Sequence, residues 1–183
     1  MNVEQMICDL ARELGVDLVG FADASCLPTQ VTEGLPRAVS LAVALNPAAI
    51  REIESGPTPR YFDEYSRANA MLNRVSEQVA DGIRNAGWKA RAFRATTEEF
   101  DKATLSARLQ HKTIATRAGL GWIGKSGLLV TREYGSAVRL ASVLTDAPVK
   151  IASPMEVSHC GDCRLCVERC PAQTIAGVLW QPR

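Results

Sequence analysis

The stretch "GLGWIGKS", residues 119–126, decides between two fold classes, because it matches the phosphate-loop pattern G-x-x-x-x-G-K-[ST] at every fixed position. That pattern binds phosphate only where a buried strand leads into the loop and a helix leaves it. Here a helical pattern precedes the glycines and an apolar run of strand length follows them, which is the reverse order. The sequence therefore predicts that this loop binds neither ATP nor GTP.

The glycines of this stretch then need another explanation. Either they form a tight helix-to-strand turn packed under Trp122, or they let the backbone pass close to a flat or anionic group, with Lys125 as a cation. Spacing alone leaves both interpretations open.

On the N-terminal side of the loop, hydrophobic periodicity and turn residues predict alternating helices and strands. These elements are a helix over residues 3–14, a strand at 16–22, a central strand at 38–45, a long helix over 65–86, an edge strand at 88–95 and a broken helix within 96–121. On the C-terminal side, strand-like runs at 128–131 and 137–144 are separated by "REYGS". Two strands joined so tightly predict an antiparallel hairpin.

The composition predicts a soluble globular protein of one domain, or of one domain with a small appendage. Of the 183 residues 46% are hydrophobic and 22% charged, and 21 Lys and Arg against 20 Asp and Glu leave a net charge of +1. This balance gives no electrostatic reason to expect a nucleic-acid partner. Charges interrupt the N-terminal stretch and every apolar run is too short to cross a membrane, so the sequence predicts a cytoplasmic protein without a membrane partner.

Four cysteines are crowded near the C-terminal end. Cys160, Cys163, Cys166 and Cys170, followed by Pro171, make the pattern C-x2-C-x2-C-x3-C-P. This is the bacterial ferredoxin run, in which three closely spaced thiolates hold three irons of a [4Fe-4S] cluster. Zinc is the main rival, but structural zinc usually draws on two separated ligand pairs. The spacing therefore favours an iron-sulfur cluster.

The fourth ligand of such a cluster is left open by the sequence. In two-cluster ferredoxins the last cysteine of the run binds the other cluster, so Cys170 would point away from the first one. Either Cys170 folds back, or Cys8 or Cys26 contributes, or a second motif follows beyond Arg183. We expect the last of these, because "GVLWQPR" has no terminal character.

Three segments together resemble the epoxyqueuosine reductase family, corrinoid-dependent iron-sulfur enzymes related to reductive dehalogenases. They are "ARELGVDLVGFAD" (11–23), "HKTIATRAGLGWIGKSGLLVTREYGSAVRLASVLTDAPV" (111–149) and the cysteine run. The glycine-rich pattern is specific when it stands just before such a run. The resemblance covers most of the chain and is weak over residues 47–105.

The resemblance implies an α+β, nitroreductase-like core of the cobalamin-binding type over residues 1–152. It also implies a ferredoxin-like [4Fe-4S] segment over 153–183, incomplete at its C-terminus, which passes electrons to a corrinoid that carries the hard chemistry. The residues placed by the corrinoid or the cluster would be Gly119, Gly121, Trp122, Gly124 and Lys125. His111 and Lys112 stand where the family has a charged pair and would face the substrate.

One departure from the family bears on the substrate. The family keeps an acidic residue, in an Asp-Ser-Ala-Pro pattern, shortly before the glycine-rich segment, where it donates a proton to the epoxide. Here the stretch reads "LSAR" (105–108), and the apolar Leu105 cannot donate a proton. Asp101 and Glu99 are near in sequence, but nothing shows that either replaces the acid. The sequence therefore predicts a substrate other than epoxyqueuosine.

The first functional hypothesis is an iron-sulfur oxidoreductase of this family type. It would take electrons from a redox partner protein or a low-potential reductant and act on a small molecule or a modified base. The alternative is a ferredoxin-type electron-transfer or reductive-activation protein whose partner does the chemistry, which would explain the missing acid. A third hypothesis is a structural or binding protein whose metal only holds its tail together.

Overall fold

The structure is a computed structural model that describes residues 2–95, 100–101 and 106–177. The helices of these residues are α1 Val3–Glu13, α2 Thr29–Thr32, α3 Pro47–Arg51, α4 Pro59–Asn85, α5 His111–Arg117 and α6 Leu165–Glu168. The strands are β1 Leu18–Asp23, β2 Arg37–Ala44, β3 Ala90–Phe93, β4 Phe100–Asp101, β5 Ser106–Ala107, β6 Gly121–Ile123, β7 Leu129–Thr131 and β8 Val138–Thr145. A 3-10 turn, Glu52–Ser55, follows α3.

Four of the strands form one antiparallel sheet in the order β1-β2-β8-β3. β2 and β8 occupy its centre and pair along their full lengths, from Arg37 opposite Thr145 to Ala44 opposite Val138. Two short ladders, β4 with β5 and β6 with β7, lie outside this sheet. The predictions of a central strand at 38–45 and of an edge strand at 88–95 are therefore confirmed.

Helices α1 and α4 cover one face of the sheet. Alternate residues of β2, namely Val39, Leu41 and Val43, are buried against this helical layer, as the two-residue period of a strand requires. They meet an apolar stripe on α4 at spacings of three and four. The stripe consists of Ala68, Leu72, Val75, Val79 and Ile83, all fully buried.

The long helix α4 begins at Pro59, ahead of the predicted start at residue 65. Thr58 Oγ1 accepts a hydrogen bond from Tyr61 N (3.2 Å), and proline suits the first helical position because its missing N–H would have no partner there. The apolar stripe does not extend into this first turn, so periodicity alone could not include it. No helix within the described residues is long and apolar enough to cross a membrane.

Helix α5 covers the opposite face of the sheet over a row of small residues. Gly20 of β1 lies opposite Ser40 of β2, which in turn lies opposite Ser142 of β8. A Cβ atom on Gly20 would lie 2.7 Å from the carbonyl oxygen of Ala118, so only glycine permits this approach. Ser40 Oγ is buried without a hydrogen-bond partner in the described part of the chain. Space, more than hydrogen bonding, therefore accounts for the small residue at that position.

The predicted hairpin between residues 128–131 and 137–144 is wrong, although both strands exist. β7 pairs with β6 across the turn of residues 119–127, which we call the glycine-rich turn. β8 pairs instead with β2 and β3 in the main sheet. Between β7 and β8 the chain closes a tight turn in which Thr131 and Gly135 exchange backbone hydrogen bonds (2.8 and 3.1 Å). The predicted turn is present, but each strand pairs elsewhere: β7 pairs with β6, and β8 pairs along its full length with β2.

Around the glycines a helix precedes the loop and a strand follows it, which is the reverse of the order in a phosphate loop. α5 ends just before Gly119, the chain enters β6 at Gly121, and β7 follows. Of the broken helix predicted within 96–121, only α5 is observed; residues 96–99 and 102–105 lie outside the described part, and β4 and β5 occupy the positions beside them. That the loop binds no ATP or GTP stays a prediction.

The chain after β8 runs back along the edges of these elements. Ala152 N donates a hydrogen bond to Phe21 O of the edge strand β1 (2.9 Å), and Met155 N donates to Thr116 O at the end of α5 (2.8 Å). These two hydrogen bonds hold the chain just ahead of the cysteine run at the C-terminal end of α5, where the glycine-rich turn begins.

We predict that Gly20→Ala destabilises the protein by about 1–3 kcal/mol, because the new methyl group overpacks the contact between α5 and β1. Gly82→Ala is the matched control. Its Cβ would meet only the flexible ends of Leu10 and Met6, at 3.3 Å. Inside a helix, alanine is more stable than glycine by about 1 kcal/mol. Urea unfolding of both variants measures this difference, and equal effects would contradict the account of the α5 contact.

Candidate functional site

The four cysteines of the run lie in an irregular segment beside the glycine-rich turn. Cys163 N donates to Cys160 O (2.9 Å), which closes the first loop of the run, and Cys166 lies on the short helix α6. Cys163 is exposed and the other three are half-buried. Within the described residues no three His, Cys, Asp or Glu side chains converge in a way that could hold a metal ion.

Lys125 ties the glycine-rich turn to the first cysteine loop. Its Nζ donates to the carbonyl oxygens of Gly161 (2.7 Å) and Cys163 (2.9 Å). Gly124, directly before it, lies close to the same loop: a Cβ there would lie 3.6 Å from Cys160 Sγ. The turn and the loop therefore pack as a unit, and the lysine that a phosphate loop would direct at a nucleotide is bound to protein carbonyls.

Trp122 completes this contact. Its ring packs edge-on against His159, with 5.1 Å between the ring centroids. Its Nε1 is buried and completes no hydrogen bond to any described residue. Cys160 lies on the loop that Lys125 binds, and the nearby indole contributes to lowering the pKa of its thiol.

The surroundings of Cys160 favour its thiolate. Burial, the largest single effect, raises the pKa of this thiol, and hydrogen bonding from Ser158 and the Lys125 backbone N–H lowers it. The Trp122 indole and the charge of Lys125 act in the same direction, so the pKa lies below its ordinary value. Thiolates are the form in which cysteine binds metal. In donor type and in their spacing along the chain these residues suit a sulfur-rich metal cluster, although no three of the thiols converge on one point in the described part of this structure.

The other two cysteines have different surroundings. Cys8 lies on α1, packs against the core beneath α1 and α4, and has its pKa raised, chiefly by burial. Cys26 is exposed, and its sulfur accepts a hydrogen bond from the Arg117 guanidinium. Neither environment makes these thiols obvious partners of the run.

His111, at the start of α5, is held by hydrogen bonds at both ring nitrogens. Nε2 lies 2.9 Å from the carbonyl oxygen of Arg94, and Nδ1 lies 3.0 Å from Ser142 Oγ. A carbonyl can only accept, so Nε2 carries the proton and Nδ1 accepts from the serine. Burial lowers the pKa of His111; the bond to Arg94 O opposes this and the charge of Arg139 adds to it, so the ring is neutral.

An open cavity of about 310 Å³ lies beside His111 and Lys112. Leu109, Leu128, Leu129, Val138 and Leu140 supply most of its apolar wall. Its polar groups include Lys112, whose Nζ donates to Gly127 O (3.2 Å), and Arg139. A cavity of this size is within the range of small-molecule sites.

The structure thus brings His111 and Lys112 to one cavity, but His111 offers it no free ring nitrogen. Arg139 was missed by the sequence reasoning. It is oriented by Asn69 Oδ1 (2.8 Å from Nε) and stacks over the Tyr65 ring, 4.4 Å from its centroid. The signal in the sequence was a single cation inside a strand whose other residues are apolar or small and polar.

One segment of chain touches both sites. Lys125 is hydrogen-bonded to the cysteine loop, and Gly127 and Leu128 line the cavity. Of the predicted cofactor residues, Trp122, Gly124 and Lys125 lie by the cysteine loop, whereas Gly119 lies beside Ser153 and Gly121 packs against β7; the predicted substrate residues line the cavity. Leu105 and Glu99 lie outside the described residues, and for Asp101 only the backbone is described, so the prediction of a missing acid stays a prediction.

We predict a pH dependence of stability that is specific to His111. The unfolded chain takes up a proton near pH 6.5, whereas folded His111 has a lowered pKa. This contribution to the free energy of unfolding is therefore fully present above about pH 6.5 and is lost as the pH falls from there towards the folded pKa. His111→Gln should reduce the loss. Urea unfolding of the wild type and of this variant at neutral and mildly acidic pH tests this, and equal pH profiles of the two proteins would contradict it.

Comparison with known proteins supports a family assignment. No protein-family profile matches the chain. The chain is 30% identical to the epoxyqueuosine reductase of Pseudomonas aeruginosa, across 96% of this chain and 56% of that protein. It is 45% identical to the epoxyqueuosine reductase of Synechocystis sp. over 37% of this chain and 23% of that protein. The chain thus spans about half the length of the first of these relatives.

Solved structures show the same fold. The epoxyqueuosine reductase from Streptococcus thermophilus superposes with a TM-score of 0.62 at 20% identity, covering 97% of this chain and 54% of that one. An epoxyqueuosine reductase with an epoxyqueuosine-modified tRNA stem loop gives 0.68 at 19%, covering 97% and 55%. A catabolic reductive dehalogenase gives 0.74 at 21%, covering 93% and 25%. The chain shares its mixed α/β fold with these structures, and with these relatives it belongs to the epoxyqueuosine reductase-like family.

Proposed function

We propose that this chain forms the electron-transfer core of an iron-sulfur oxidoreductase of the epoxyqueuosine reductase type. Electrons would pass from a [4Fe-4S] cluster at the cysteine run to a corrinoid or a substrate in the cavity beside His111. The observation that carries the proposal is the shared segment: Lys125 binds the cysteine loop, and Gly127 and Leu128 line the cavity. An electron donor at the cysteine loop and an acceptor in the cavity would thus contact the same segment, residues 125–128.

The cluster would be held by Cys160, Cys163 and Cys166, and Cys170, the last thiolate of the run, would serve this cluster or a second one. Such a cluster supplies single electrons at low potential. The protein's part is to hold the thiolates, and Lys125 and Trp122 are placed to do so. In this proposal residues 153–183 form the cluster-binding segment and residues 1–152 form the core.

The cavity would hold the electron acceptor. Its largely aliphatic wall suits the flat face of a corrin ring, and Lys112 and Arg139 give it positive charge for an anionic or strongly polar group. A corrinoid bound there would carry the bond-breaking chemistry, while these two side chains would orient it or the substrate.

A modified base in tRNA is a reasonable substrate class. The net charge of +1 gave no electrostatic reason to expect RNA, but a structurally similar reductase has been solved with a modified tRNA stem loop. The alternative, an electron carrier without its own chemistry, is not favoured, since the relatives are reductases and the turn that binds the cysteine loop continues into the wall of a substrate-sized cavity.

Replacing a ligand tests the cluster. Cys160→Ser should remove most iron and sulfide from anaerobically purified protein, because it takes away one of three thiolates on a single loop. Cys8→Ser is the matched control and should leave both unchanged, since Cys8 packs into the core beneath α1 and α4. Unchanged iron in Cys160→Ser would rule out the assignment.

The missing acid gives a prediction about the substrate. If Leu105 stands where the family keeps its acid, the protein should fail to reduce epoxyqueuosine even with cofactor and reductant supplied, because a general acid contributes about 10²- to 10⁴-fold. Leu105→Asp should raise turnover if the substrate fits. Corrinoid reduction, which does not need this acid, should proceed in both forms and serves as the control. Robust turnover of epoxyqueuosine by the unmodified chain would refute this prediction.

A further inference from the structure

We propose that the turn at residues 121–125 positions and tunes the cluster: Trp122 donates its indole N–H to the Cys160 sulfur, and Lys125 fixes the loop between Cys160 and Cys163. The inference rests on the proposed function, since it requires a cluster at these cysteines. It gives the glycine-rich turn a role that is neither phosphate binding nor ligation.

The indole N–H needs an acceptor. Trp122 Nε1 is buried and completes no hydrogen bond to any described residue. Buried donors are rarely left without a partner, because each loses its bond to water. The ring is held in place by its edge contact with His159, so the direction of the N–H is set by packing. A cysteine sulfur that carries the negative charge of a bound cluster would satisfy this donor.

The turn is shaped to bring that sulfur close. At Gly124 a Cβ atom would lie 2.9 Å from Val130 Cγ2, which is too close, and 3.6 Å from Cys160 Sγ, which is ordinary contact, so the glycine lets the turn pack against β7 with the sulfur next to it. The ammonium of Lys125 has three donors, and two of them bind the Gly161 and Cys163 carbonyls at 2.7 and 2.9 Å. The peptide groups between two predicted ligands are thereby fixed.

A hydrogen bond to a cluster sulfur has a measurable electronic effect. It stabilises the reduced state, which carries one more negative charge, and therefore raises the reduction potential. The ammonium of Lys125 acts in the same direction. A role in packing alone would leave the potential of an assembled cluster unchanged.

Trp122→Phe isolates the N–H, because it keeps an aromatic ring at the position. Trp88→Phe is the matched control: Trp88 lies in the turn between α4 and β3 and is 40% exposed. The full chain is reconstituted anaerobically with ferrous iron and sulfide, and the midpoint potential is measured by redox titration. Poised at the wild-type midpoint, Trp122→Phe should show a several-fold lower ratio of reduced to oxidised cluster, where tenfold corresponds to about 59 mV for one electron.

Equal midpoints for wild type and Trp122→Phe, or an equal shift in Trp88→Phe, would overturn the inference while leaving the proposed function intact. If Trp122→Phe fails to assemble, pulsed EPR of the reduced wild-type cluster with ¹⁵N-indole tryptophan decides: a coupled indole nitrogen supports the inference and its absence overturns it. A wild-type chain that takes up no iron would instead refute the proposed function itself.

Discussion

The contact between α5 and the sheet is the constraint on which the rest of the structure depends. It exists because Gly20, Ser40 and Ser142 form a row of small residues across three strands, so that Ala118 can approach β1 to within hard-sphere limits. Both ends of α5 then have fixed surroundings. At its start His111 bonds to β8 through Ser142, and at its end Arg117 Nε donates to Asp23 O after β1 (3.2 Å). A larger residue in the row would displace both ends together.

From the end of α5 this constraint passes into the two candidate sites. The glycine-rich turn leaves α5 directly, and Met155 is bonded to the same end of the helix, so the turn and the cysteine segment share one anchor. Lys125 and Trp122 then meet the first cysteine loop, while Gly127 and Leu128 turn towards the cavity. The motif that resembled a nucleotide-binding loop thus connects the two candidate sites, and its lysine donates hydrogen bonds to protein carbonyls instead of binding phosphate.

Much of the secondary structure could be predicted from the sequence, because strong local signals act there. The stripe on α4 and the apolar run of β2 are long enough for periodicity to decide, and the cysteine spacing is informative by itself. The prediction of strand pairing failed because the deciding contact is not local: β7 and β8 are close in sequence, but β8 pairs along its full length with β2. The start of α4 depended on the Thr58 cap and not on hydrophobicity.

The residues of the two candidate sites could be named from the sequence as hypotheses, but their arrangement could not. The resemblance implied that His111 and Lys112 face a substrate, which stays a prediction, and it could not show that Arg94 O and Ser142 Oγ engage both nitrogens of His111. Nor could it show Arg139 in the cavity wall, because its orientation depends on Asn69 and Tyr65 of α4, remote in sequence. The link between Lys125 and the cysteine loop likewise spans residues that come together only through the fold.

The central claim is that the cysteine run holds a redox cluster beside an acceptor site, and the most direct test is the cofactor content of the unmodified, anaerobically purified chain. Iron, acid-labile sulfide, cobalt and zinc are quantified together with the visible absorption spectrum. The account predicts iron and sulfide in equal amounts with a broad cluster absorption that bleaches on reduction, and corrin bands with matching cobalt when a corrinoid fills the cavity. Stoichiometric zinc with a featureless visible spectrum would contradict it.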